Sequence, residues 1–341
     1  MATRVEHVDT VTAPERILAA MHELYLEIDE EELPGDPPKP YEQRMVDWRH
    51  FPDFDMLPQW VLWEGDRLVA TSGAHMNRTQ NLDNAFGWVH VRRAERGRGF
   101  GRIVATPMFD AVQHENRTRF ACAIPQGFDS AALAERAGMK NAFQARRSRL
   151  TLAEVDWDRV AEWVDKAPQR ASEYEVVFWP PPIPDQYLQA YCDLHYVMNT
   201  APLEEFERDP EVMTPEMWQG LEEIDRNRHT DFLVYAARHK PTGSFVGLTE
   251  AIYQRLNPPQ AWQADTGVEA AHREKGLGRW LKAAMLQRLR SDYPLVERID
   301  TDNAGSNEPM LNINIALGFK PILMNHIWQG DVATIRERLR V

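Results

Sequence analysis

Apolar and polar positions follow one order along the first half of the chain and repeat it along the second. Each half opens with a short strand pattern, VEHVDTV (5–11) or YEVVFW (174–179). Apolar residues at helical spacing come next, in APERILAAMHELYLEI (13–28) and PDQYLQAYCDLHYVM (184–198). An acidic, proline-broken connection leads to two apolar runs around a turn, WVLWEGDRLVATSG (60–73) and FLVYAARHKPTGSFVGLTE (232–250), which predict hairpins. A third strand (FGWVHV or WQADTGV), a glycine loop and a helix follow. Each half closes with a further strand (RFACAI or VERIDTD) and a shorter helix ending at AGM or LGF.

The two halves keep register. A single offset of 177 positions carries Gly99 onto Gly276, and it also pairs Arg96 with Arg273, Gly101 with Gly278, and Val91 with Val268. An offset shared across a hairpin, a strand and a loop marks two homologous domains. Residues 1–152 form the first and 173–341 the second, joined by a helical linker over 153–172. At 341 residues the chain suits two domains of about 150 residues.

Composition narrows the function. A net charge of −13 argues against a nucleic-acid partner and suits a cationic small molecule. No apolar run is long enough to span a membrane, and the N-terminal residues lack a signal-peptide core, so a cytoplasmic protein is expected. Cys122 and Cys192 lie in different halves without ligand spacing, so neither a metal nor a disulfide is expected.

The chemistry points to the loops AERGRGFGRIVATPMF (94–109) and AHREKGLGRWLKAAML (271–286). Glycines between a strand and a helix let backbone approach a ligand, and the helix N-terminus offers unpaired N–H groups to an anion. Neither loop has the nucleotide-triphosphate ending or the three-glycine dinucleotide fingerprint.

Arg-x-x-Gly-x-Gly after a strand ending in Val, with TDNAGSNEPMLNINIALGF (301–319) downstream, resembles the GCN5-related N-acetyltransferases (GNAT). The resemblance covers both halves and is stronger in the second. It implies an α/β fold with mixed sheets and two tandem GNAT-like domains, an arrangement that mycothiol synthase also has. The anion would be the pyrophosphate of acetyl-CoA, the co-substrate. Thr266, Gly267 and Val268 would face the acetyl-pantetheine arm. Arg273, Glu274, Lys275, Gly276, Leu277, Gly278 and Arg279 would hold the pyrophosphate, and Asn303 and Asn307 the other side of the cofactor. In the first half Val89, Val91, Arg96, Gly97, Gly99 and Gly101 occupy the matching places. The TDNAGSN stretch also has turn and N-cap chemistry, so local capping is the alternative for its asparagines.

The family's usual acid, a Tyr four residues before the closing Gly-Phe, is replaced by Asn314, and by Ala134 in the first half. The first half also lacks the asparagines, apart from Asp129 near the equivalent turn, so it is expected not to catalyse, with cofactor binding there left open, and the second half is expected to be the working site. The implied reaction is direct attack of a primary amine on the thioester, with Glu250 and Asp265 as candidate bases and Asn314 at the acid position. His272, beside the loop, is assigned to packing or capping. The connections at 27–43 and 199–216 would wall an acceptor site for a small cationic amine. A monomer or a homodimer is expected. Two alternatives stand beside this: an acyl-CoA-binding regulatory module without turnover, and acetylation of lysine in proteins or peptides.

Overall fold

The computed structural model describes residues 2–341. In chain order the first elements are β1 (Thr3–Val8), α1 (Glu15–Glu32), α2 (Tyr41–Arg49), β2 (Asp55–Met56), β3 (Gln59–Glu64), β4 (Arg67–Asn77), β5 (Asn84–Val91), α3 (Phe100–His114), β6 (Arg119–Pro125), α4 (Ser130–Arg136) and β7 (Lys140–Thr151). Then come α5 (Trp157–Arg170), β8 (Tyr174–Trp179), α6 (Asp185–His195), α7 (Pro215–Asn227), β9 (Thr230–His239), β10 (Phe245–Gln254), β11 (Gln260–Val268), α8 (Leu277–Asp292), β12 (Arg298–Ala304), α9 (Glu308–Leu317), β13 (Lys320–Asp331) and α10 (Val332–Leu339).

The chain divides into two compact units, and the division is not sequential. The first takes residues up to Ala145, then 203–209 and 323–341; the second takes 146–202 and 210–322. The first unit's sheet runs β1-β3-β4-β5-β6-β13 and the second's β7-β12-β11-β10-β9-β8. Each therefore ends on a strand from the far side of the sequence midpoint. Both sheets are mixed, with β5–β6 and β11–β12 parallel and the hairpins antiparallel, in keeping with the expected α/β class.

Local chemistry explains the elements that flank the site. Helices α1 and α6 both start after a proline, Pro14 and Pro184, whose fixed φ suits a helix entry. Leu188, Tyr191, Cys192 and Leu194 are buried on α6, and Trp179, Trp218 and Leu248 complete that cluster. Trp218 is thus a core anchor. The span 153–172, expected as a helical linker, holds the helix α5, which is grouped with the second unit. Its Asp156 cap accepts from Arg159 N, and Val160 enters the second core. A cap of this kind contributes about 1 kcal/mol.

Two features of the second sheet make room for a ligand. The β11–β12 ladder stops at Trp262↔Asp300 although both strands run on, so their facing edges beyond that pair are not joined to each other. The β5–β6 ladder stops in the same way at Phe86↔Ala121. The β10–β11 register also shifts: Thr249 faces Thr266 and Ala251 faces Gln263, so Ala264 and Asp265 together oppose Glu250. That is a β-bulge, one extra residue that re-aims a side chain. The β4–β5 ladder of the first unit has no such shift.

The connection at 199–216 is divided between the two units. Its residues 203–209 belong to the first unit, where Glu205 N donates to Ala142 O and Glu207 N to Gln329 Oε1.

Candidate active site

Glu250 is brought by β10, Asp265 by the bulge of β11, and Tyr191 and His195 by α6, one helical turn apart. The Tyr191 hydroxyl donates to Glu250 Oε1 at 2.8 Å. His195 Nε2 lies 3.4 Å from Asp265 Oδ2 and 4.0 Å from Glu250 Oε1. Burial, reinforced by the nearby Asp265 charge, pushes the Glu250 carboxyl up to about 8. For His195, burial acts to lower the pKa, but contact with Asp265 and the charges of Glu250 and Asp265 outweigh it, so the net direction is up. Burial and Glu250 together hold the Tyr191 phenol well above its ordinary value.

The four side chains form one cluster of titratable groups in contact. His195, Glu250 and Asp265 also bring one ligand-capable atom each within 4.8 Å of one another. A cation bound there would have to displace the protons that Glu250 and His195 favour.

Asn314, placed at the acid position by resemblance, stands apart from this group. Its Nδ2 donates to Asn303 Oδ1 at 2.6 Å, so the structure joins those two asparagines to each other. Asn307 caps α9, its side chain accepting from Met310 N at 3.3 Å, which is the capping alternative. Thr266 shares a 2.7 Å hydrogen bond with Thr249. Gly267 lies against Val197 and Met198, so closely that a Cβ there would come within 2.6 Å of Val197. His272 meets the Tyr174 hydroxyl at 2.9 Å, a packing role.

The second glycine loop has the form of an anion nest. Gly276 caps α8 at φ +82°, a left-handed conformation that glycine adopts without penalty, and a Cβ there would meet nothing within 4 Å. The backbone N–H groups of residues 274–279 find no acceptor among the described residues. Arg273 braces the loop, donating from Nε to Val268 O at 2.9 Å and from a terminal nitrogen to Thr200 Oγ1 at 2.8 Å. Arg279 lies over the Trp163 ring. Among the described residues none of Arg273, Lys275 and Arg279 is ion-paired. An orphaned row of N–H groups beside unpaired cations fits a diphosphate, and the parted β11–β12 edges fit an extended amide arm.

The first unit repeats the loop but not the site. Gly99 has φ +85°, and Arg96 Nε donates to Val91 O at 3.1 Å. There, however, Arg96 is held by both oxygens of Glu31, at 2.6 and 2.5 Å, and Arg98 by Glu64 and Glu95. Opposite Trp88 stands Gly73, in the place of Glu250, and a Cβ on it would come within 2.4 Å of the indole. The residue matching His195 along the helix is Tyr25, packed on Trp48 and His90.

Residues 18–139 match the Acetyltransferase (GNAT) family model. The second unit repeats the strand order and the glycine loop of the matched stretch. The family match lies in the first half, although the loop and asparagine motifs are fuller in the second. A tandem GNAT protein from the clavulanic acid biosynthesis pathway is similar over 97% of this chain and 99% of its own, at 22% identity and TM-score 0.78. A GCN5-related N-acetyltransferase from Sphaerobacter thermophilus covers 97% and 96%, at 16% identity and TM-score 0.66. A fungal glucosamine N-acetyltransferase region covers 96% of this chain at 9% identity and TM-score 0.66, this chain spanning 38% of that protein. No curated protein matches the chain. Proteins of the GNAT family are in general acyltransferases. No helix among the described residues is long and apolar enough to cross a membrane.

The sequence reading missed Tyr191 and His195. They carry a local signal, polar rings one turn apart on an amphipathic helix, but nothing local says that Glu250 lies beneath them.

Proposed function

We propose that the second unit is an N-acetyltransferase that moves the acetyl group of acetyl-CoA to a primary amine of a small cationic molecule. The observation that carries this reading is a buried carboxyl, Glu250, set opposite a bulge where the sheet parts. Acetyl-CoA would supply the activated acyl group, its diphosphate held by the amides of 274–279 with Lys275 nearby. The acidic surroundings of Glu250 and Asp265 attract an ammonium, and Glu250 in its carboxylate form removes the proton that makes the amine a nucleophile. N–H groups released from regular pairing at the bulge are suited to a developing oxyanion. The first unit lacks the carboxyl, the histidine and the bulge, so it does not turn over.

The test is release of free CoA from acetyl-CoA with a panel of small amines, using the intact chain and Glu250→Gln. Turnover that disappears in the variant while acetyl-CoA still binds supports the reading. Binding without turnover across the panel favours a regulatory acyl-CoA-binding module instead, and turnover on lysine peptides alone would change the acceptor class.

A further inference from the structure

A base that takes one proton per turnover must also lose it, and Glu250 has no route of its own. Its side chain is 2% exposed. Among the described residues, the groups that face it are the buried Tyr191 hydroxyl, His195 and Asp265. Exposure rises along one line: Glu250 2%, His195 25%, Asp265 44%. A single atom, His195 Nε2, lies between the two carboxylates.

We propose that His195 is the proton hand-off of this site, carrying the proton taken by Glu250 to Asp265 and to water. The inference rests on the acetyltransfer reading above. In each cycle the ammonium loses two protons: the first goes to Glu250 before attack, and the second leaves the nitrogen after attack and goes to the departing thiolate. The new C–N bond forms, and the C–S bond breaks with its electron pair on sulfur. The imidazolium gives its Nε2 proton to Asp265 Oδ2 and then to solvent, and the emptied Nε2 takes the proton from Glu250. The site returns to its starting state, with the first proton in bulk water and the second on the CoA thiol. No oxidant or further reactant is needed. The 4.0 Å between Nε2 and Glu250 closes by a small ring rotation or through one water.

The groups around His195 support this traffic. Glu250 on β10, Asp265 on β11 and Glu211 in the segment before α7 all favour its protonated form, and Tyr191 on its own helix is held neutral at working pH. The ring therefore holds a proton for Asp265 to accept, and when Glu250 refills it the carboxylate left behind favours the charged ring. In the first unit the corresponding Tyr25 belongs to a packed aromatic group, and the carboxylates are absent.

The experiment uses the full chain, His195→Ala and His195→Gln, with kcat measured against pH at low and high buffer concentration. Both variants are expected to lose on the order of 100-fold in kcat at low buffer, with KM for acetyl-CoA unchanged. Imidazole should restore His195→Ala in a saturable way, whereas a merely structural histidine gives a loss that no buffer relieves. Unchanged kcat, or a loss blind to buffer, overturns the proposal. A second readout does not need turnover: the His195 ring is titrated by NMR in the wild type, Glu250→Gln and Asp265→Asn. Each variant is expected to lower its pKa, and a titration insensitive to both overturns the hand-off. A wild type with no turnover on any amine defeats the acetyltransfer reading separately, since the NMR result stands regardless.

Discussion

The two units share strand order, loop geometry and parted strands, yet they differ in the side chains gathered beside the sheet. Trp88 lies over Gly73 in the first; a bulge and Asp265 stand opposite Glu250 in the second. Tyr25 is packed among rings, while His195 bridges carboxylates. The loop arginines of the first unit are neutralised by Glu31, Glu64 and Glu95, whereas the cations of the second are unpaired. A fold is maintained by dozens of apolar positions, each tolerant of volume-conserving change, whereas a proton-handling site depends on a few polar atoms. Two copies can therefore keep one architecture while differing at those few polar positions.

The largest expected effect comes from removing the carboxyl. Glu250→Gln should reduce kcat by roughly 10²–10⁴, and wild-type kcat should rise with pH through about 8 as Glu250 ionises. Because the folded carboxyl is raised, its stabilising contribution is present at acid pH and falls away as pH climbs to about 8; Glu250→Gln should then be the more stable protein above that pH. Denaturant midpoints at pH 6 and 9 check the sign.

The loops come next. Calorimetry is expected to find one acetyl-CoA site, abolished by Gly276→Glu and untouched by Gly99→Glu. Two sites in the intact chain would show that Glu31 and its neighbours do not close the first loop, and would break the contrast.

A third test concerns Lys282, buried on α8 where the first unit has Ala105. Burial lowers its amine to about 7, and its contact is with the Phe319 ring. The unfolded chain holds that proton up to about 10.5, so stability should rise with pH between about 7 and 10. Lys282→Met should stabilise the protein by roughly 2–4 kcal/mol below pH 7 and by less above pH 10. A variant less stable at both values would reveal a partner for the amine.

The smallest effect belongs to Glu274, at φ +65° where the first loop has Gly97 at +81°. Glu274→Gly should raise stability by about 0.5–1 kcal/mol, read as a small rise in thermal midpoint.

Periodicity and the shared offset were enough to read the tandem plan, the hairpins and both loops, because backbone pattern is local. Glu250 and Asp265 were reachable too, since a hairpin and the strand after it place them side by side. Tyr191 and His195 were not: they sit on a helix far upstream, and only its packing across the sheet sets them over Glu250. The asparagines went the other way. By resemblance Asn303 and Asn307 are cofactor contacts and Asn314 stands at the acid position; in the structure Asn307 caps α9 and Asn314 donates to Asn303, contacts that only the folded chain reveals.

What the residues alone determined, then, was a doubled α/β architecture and the glycine loops, since spacing, turn chemistry and left-handed glycines act over a few neighbouring positions. Tertiary structure alone decided that β13 completes the first unit, that residues 203–209 leave the second, that Trp88 fills the space over Gly73, and that one imidazole nitrogen sits between two carboxylates. Such facts depend on distances between segments far apart in sequence, and burial and charge are properties of that assembled neighbourhood.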